Sequence, residues 1–93
     1  MLGTEFAVNG LLVTAPRWTS TGHARWQMRR RRIPDAAIEH VLASYHTRRP
    51  APPRDAAKPA DILVGDYEGR RLKVYVERGV DPPFVKTAVW EGD

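Results

Sequence analysis

The chain reads as a single α+β domain, with two N-terminal helices packed on a three- to four-stranded antiparallel sheet. Three observations predict this. Between about residues 21 and 47 the apolar side chains recur at helical spacing. From residue 61 onward the apolar repeat becomes two, the period of a half-buried strand. A proline-rich connector at 48–60, with Pro50, Pro52, Pro53 and Pro59 among four basic residues, separates the two regimes. Ninety-three residues leave room for one small domain.

Residues 1–19 read as an N-terminal extension. Phe6-Ala7-Val8 and Leu11-Leu12-Val13 flank Asn9-Gly10, a strong hairpin signal, although Gly3-Thr4-Glu5-Phe6 equally fits cloning-derived sequence. The first helix is expected over 21–32. Ser20 and Thr21 offer cap oxygens, no Gly or Pro interrupts 23–32, and Ala24, Met28 and Arg31 form an inward face. Pro34 should end it and also open the second helix, 34–47, with Asp35 complementing the positive helix end. Ala37, Ile38, Val41, Leu42 and Tyr45 form the stripe of that helix. Strands follow at 61–67, 70–77 and 84–90, the first two joined by a tight turn at Glu68-Gly69. Leu72, Val74 and Val76 share one face, while Arg71, Lys73, Tyr75 and Glu77 share the other. The expected core is Met28, Ile38, Val41, Leu42, Leu72, Val74 and Val76. No internal repeat is present.

Charge is unevenly distributed. The net charge is +4, and Arg17–Arg54 holds nine Arg against Asp35 and Glu39, whereas the residues from 55 onward are net acidic. Guanidinium groups grip phosphate with a bidentate fork, so an Arg-dominated half points to a polyanion, most simply RNA. The same layout also suits a solvated helix face or an acidic protein partner. The absence of cysteine excludes disulfides and thiolate zinc sites and fits a cytoplasmic location. No apolar run approaches a membrane span, and Met1–Gly10 lacks the basic start of a secretory signal. His40 and His46 stand six apart, on different faces of one helix, so no metal site is expected; phosphate-binding glycine loops and nucleophile elbows are absent, and no cofactor is implied.

The informative stretch runs from His23-Ala24-Arg25-Trp26-Gln27-Met28 through Arg29-Arg30-Arg31-Arg32-Ile33-Pro34. It resembles a small bacterial domain-of-unknown-function family whose first helix reads His-Ala-x-x-Arg-Met-x-x-Arg-Gly-Ile. Later motifs of that family, Arg-x-Leu-x-Val and Val-x-Thr-x-x-Trp, are similar to Arg70–Val74 and Val85–Trp90 here. The resemblance spans roughly residues 20–91. It implies a fold like the barnase/RelE-like ribonuclease group, many of whose members are metal-independent RNases acting as toxins. Two positions depart from the pattern: Gln27 stands where the family has Arg, and Arg32 replaces its usual Gly.

Metal-free RNA cleavage requires a base for the 2′-OH, an acid for the leaving 5′ oxygen and fixed positive charge around the phosphorane. His23 is the imidazole beside the Arg cluster and is the expected proton-transfer group. Arg31, Arg71 and Lys73 are expected to hold phosphate, with Thr87 donating a hydrogen bond. Arg25, Trp26, Arg29, Arg30, Arg32 and Tyr75 complete the expected nucleic-acid surface, Trp26 and Tyr75 as stacking platforms. Each has a plainer reading. His23 can bond a backbone carbonyl, Arg31 can pair with Glu39 or Asp66, Arg71 and Lys73 can form a solvated strand face, and Thr87 can be an ordinary strand residue. Three functions therefore stand: a small toxin-like endoribonuclease, a nucleic-acid-binding module without chemistry, and a protein that docks an acidic antitoxin- or immunity-like partner.

Overall fold

A computed structural model describes the backbone of residues 3–8 and 11–16 and the whole of residues 18–54 and 57–92. Strands β1 (Gly3–Val8) and β2 (Leu11–Pro16) pair antiparallel as a separate two-stranded sheet, and the turn expected at Asn9-Gly10 lies outside the described residues. Thr19–Ser20 forms a short strand β3. Helix α1 spans Gly22–Arg30, and its N-cap Thr21 accepts a 3.0 Å hydrogen bond from the backbone N–H of Ala24.

The end of α1 departs from expectation. The helix stops at Arg30, before Pro34 can act. Arg32 takes a left-handed conformation at φ 56°, its N–H donates to the Arg29 carbonyl at 3.0 Å, and the Ile33 N–H donates to the Met28 carbonyl at 2.9 Å. This is a Schellman cap, in which the left-handed position normally belongs to Gly. Met28 and Ile33, both buried, supply the apolar closure that accompanies it.

Helix α2 covers Asp35–Ser44, with Pro34 as its extended N-cap rather than its first residue, and ends short of residue 47. The remaining residues go to the sheet: His46 N–H bonds the Val64 carbonyl at 2.9 Å, and β4 (Thr47–Pro50) pairs antiparallel with β5 (Ala60–Tyr67). β6 (Arg70–Glu77) and β7 (Phe84–Trp90) continue the antiparallel ladder. Glu68 (φ 49°) and Gly69 (φ 80°) make the intervening turn, both at positive φ. The sheet therefore has five strands in the order β3-β7-β6-β5-β4, and it is mixed because β3 runs parallel to β7. A three- to four-stranded antiparallel sheet misses both edges. Their two and four residues are too short to show a period of two, and β4 occupies the start of the proline-rich segment. Pro50 is tolerated because an edge strand can forgo an N–H donor.

Both helices lie on one face of the sheet. Ile38 and Val41 of α2 are fully buried with Leu72, Val74 and Val85, and Trp18, Leu63, Ala88 and Trp90 extend this core. Full burial of each such aliphatic side chain contributes about 1.5–3 kcal/mol. Leu42, expected inside, is only partly buried, and Tyr45 is exposed. Gly65 permits the close approach of α2, since a Cβ there would stand 3.2 Å from Val41 Cγ2. Two indole N–H groups are satisfied: Trp18 donates to Glu39 at 3.1 Å, and Trp90 to the Arg31 carbonyl at 2.9 Å, helping to close the end of α1. Among the described residues no helix is long and apolar enough to cross a membrane.

Candidate nucleic-acid interface

The seam between α1 and β7 is polar at one point. Arg31, immediately after α1, sends Nη1 to Thr87 Oγ1 at 3.0 Å and to the Ala88 carbonyl at 2.9 Å. Thr87 Oγ1 in turn donates to Gln27 Oε1 at 3.4 Å. A register shift between β6 and β7 sets Tyr75 opposite Thr87 and Val76 opposite Val85. Lys86 is the extra residue of this bulge, and bulges commonly re-aim side chains next to sites. Thr87 thus shares the sheet face of Tyr75, away from the main core.

That face forms the floor of a cavity of about 840 Å³. Gln27 and Arg31 close one side, and the proline-rich connector forms the wall opposite the sheet. Arg31, Arg54, Lys58, Arg78 and Lys86 contribute cationic side chains, and no described Asp or Glu lines it. Lys58 pairs with Glu77 at 3.5 Å, and Arg78 bonds Asp61 at 3.1 Å. Lys86 donates to the Lys58 carbonyl at 3.1 Å, and Arg31 is held by a hydroxyl and a carbonyl. Among the described residues neither Arg31 nor Lys86 has a carboxylate partner, so both carry charge that an anion can neutralise. A smaller cavity of about 240 Å³ adjoins it along Trp26, Gln27, Arg30 and Arg31.

The connector is anchored by an ion triad in which the carboxylate is buried and both arginines are half exposed. Asp61 accepts from Arg48 and from Arg78, at 3.0 and 3.1 Å, although its side chain is only 10% exposed. Burial pushes its carboxyl upward, but the two guanidinium hydrogen bonds outweigh this and hold it below the ordinary carboxylate value.

The structure brings Arg31, Thr87 and Tyr75 to one cavity and leaves other expected residues outside it. His23 lies in the first turn of α1, stacked on Trp26 with ring centroids 5.9 Å apart, and does not line the cavity. It shares a helix face with Gln27 and Arg31, at i, i+4 and i+8. Trp26 is 47% exposed and carries Arg30 over its ring at 4.9 Å. Arg25 is engaged elsewhere, over Trp18 at 4.5 Å and 3.7 Å from Asp35. Arg29 and Arg32 are exposed. Arg71 is taken up by Asp66 at 3.1 Å and Glu91 at 3.9 Å, far from uncompensated. Lys73 lies on the Tyr75 face between Val64 and Val89 and is not a lining residue.

Arg54, Lys58, Arg78 and Lys86 were not anticipated as site residues. They come from the connector, the loop after β6 and the β7 bulge, and only the tertiary fold gathers them. Among the described residues no group of three or more His, Cys, Asp or Glu can hold a metal ion. No curated protein and no solved structure matches the chain. The family model for DUF4258, a domain of unknown function, matches residues 20–90, which contain α1, α2, the Arg31–Thr87 seam and the cationic cavity. The chain belongs to the DUF4258 family.

Proposed function

We propose that this protein binds RNA through the cationic cavity and cleaves it without a metal, as a small toxin-like endoribonuclease. The observation that carries the reading is the Arg31–Thr87 pair in a cavity lined by five cationic side chains and no described carboxylate. A phosphodiester at the Arg31 rim of the cavity meets that guanidinium, whose charge favours the dianionic phosphorane over the ground state. His23 lies outside the cavity, one helical turn before Gln27. In this reading the strand leaves the cavity along α1 and brings its 2′-OH to His23, which takes the proton as that oxygen attacks the adjacent phosphorus. The P–O5′ bond breaks, and the leaving oxygen takes a proton from solvent water, giving a 2′,3′-cyclic phosphate and a 5′-OH end. Exposed Trp26, next to Arg29 and Arg30, offers a stacking platform outside the cavity. If the family's fold is of the barnase/RelE-like kind that the first-helix motif suggests, the same reaction class and a cytoplasmic location follow.

A second reading keeps the binding and drops the chemistry. It is favoured by one observation: no imidazole lines the cavity. An antitoxin-like acidic partner would use the same exposed arginines and would appear as a competitor of RNA. The deciding experiment is incubation of the protein with RNA in the presence of chelator. Cleavage that a 2′-deoxy substitution blocks, and that His23→Ala lowers by about 10²- to 10⁴-fold, is the expected result. An intact RNA that is nevertheless bound selects the second reading, and an absolute requirement for Mg²⁺ refutes the first.

A further inference from the structure

We infer that the large cavity is a pocket for a single extruded nucleotide, base and phosphate together, rather than a groove that tracks the backbone alone. This rests on the RNA reading above and adds how the chain is held. The lining mixes two chemistries. Arg31 and Lys86 are cations with no carboxylate partner among the described residues, while Pro52, Pro53, Pro59, Val89 and the ring of Tyr75 are apolar. A surface that bound phosphate alone would have no use for an apolar wall. A volume near 840 Å³ lies within the range of pockets that enclose whole small molecules.

The wall is built and tied down. Ala51 N–H donates to the Ala60 carbonyl at 2.9 Å, closing the connector into a loop at its base. Arg78 N–H bonds the Pro59 carbonyl at 2.9 Å, and Lys86 Nζ bonds the Lys58 carbonyl at 3.1 Å, so the loop is fastened from the β6 and β7 sides. Prolines hold such a wall with little conformational freedom left to lose on binding. A base entering it must leave its neighbours, which costs least in an unpaired strand. The pocket therefore selects single-stranded RNA, with the base against Tyr75 and the prolines and its phosphate on Arg31 and Lys86.

The test uses the full chain at low salt, titrated with uridine 3′-monophosphate, adenosine 3′-monophosphate, uridine and inorganic phosphate. At least one nucleotide should bind tenfold or more tighter than either uridine or phosphate. Tyr75→Ala should weaken nucleotide binding about tenfold and leave phosphate unchanged; if that variant is unfolded by circular dichroism, Tyr75→Leu replaces it. Lys86→Gln should weaken nucleotide and phosphate alike. Nucleotide binding no tighter than that of phosphate, or unaffected by loss of the Tyr75 ring, overturns the inference. If an RNA oligomer binds with steep salt dependence while mononucleotides do not bind, the pocket is refuted and the RNA reading stands. Failure of both ligands to bind refutes the two together.

Discussion

Replacing Arg32 by glycine should stabilise this protein. Arg32 sits at φ 56° in the cap of α1, held there by the Arg32–Arg29 and Ile33–Met28 backbone bonds. A left-handed conformation costs a residue with a Cβ about 1–2 kcal/mol, and glycine essentially nothing. Glycine also gives the unfolded chain more freedom, which returns about 0.4–1 kcal/mol of that gain. The net is about 0.5–1 kcal/mol in favour of Arg32→Gly. For a domain of this size that corresponds to a rise of roughly 2–8 °C in Tm, measurable by circular dichroism or urea titration. Arg29→Gly, one turn earlier and inside the helix, is the control and should cost about 1 kcal/mol. The two changes remove the same charge, so their opposite signs isolate backbone geometry from electrostatics. An unchanged or lowered Tm for Arg32→Gly, with Arg29→Gly behaving as stated, would show that the cap carries no strain and would refute the reasoning.

Asp61→Asn removes the charged acceptor of both Arg48 and Arg78 and should cost about 1–3 kcal/mol, read from urea unfolding at neutral pH. Because the folded-state pKa of Asp61 is depressed, its contribution is fully present above the ordinary carboxylate value of 3.8 and is lost as pH falls through the folded-state value. The wild type and Asp61→Asn should therefore converge in stability below that window, and a gap that persists in acid would contradict the assignment. Reversing Arg29 and Arg30 to Glu should weaken RNA binding across all sequences and flatten its dependence on salt, as measured by fluorescence anisotropy between low and physiological salt. Arg31 Nη1 alone bonds Thr87 and the Ala88 carbonyl, which leaves the rest of the guanidinium for phosphate. Arg31→Lys keeps the charge but loses that planar remainder, so RNA affinity should fall even though net charge is unchanged, and wild-type affinity would show that only point charge matters.

The local periodicities were sufficient for the parts of this protein that are long and regular. The Ala37–Val41 stripe, the alternation of Leu72, Val74 and Val76, and the Glu68-Gly69 turn each carry their structure in adjacent residues, because helix and strand spacing repeat within a few positions. Arg31 and Thr87, singled out through the motifs they occupy, are brought together at the cavity. What the tertiary structure decided depends on residues distant in the chain. β3 and β4 exist as strands because β7 and β5 offer them backbone partners, and two or four residues cannot signal that alone. The left-handed turn at Arg32 hides behind a run of four arginines with no Gly to mark it. His23 and Arg31 belong to one motif, yet the fold seats only Arg31 in the cavity, since two turns of helix separate them. Arg71 looked like a phosphate ligand from its strand position, but the cross-strand neighbours Asp66 and Glu91 claim it. The cavity itself is the clearest case. Its floor, cations and proline wall come from α1 and its end, the connector and four strands, and charge converges there only once chain closure brings those segments together.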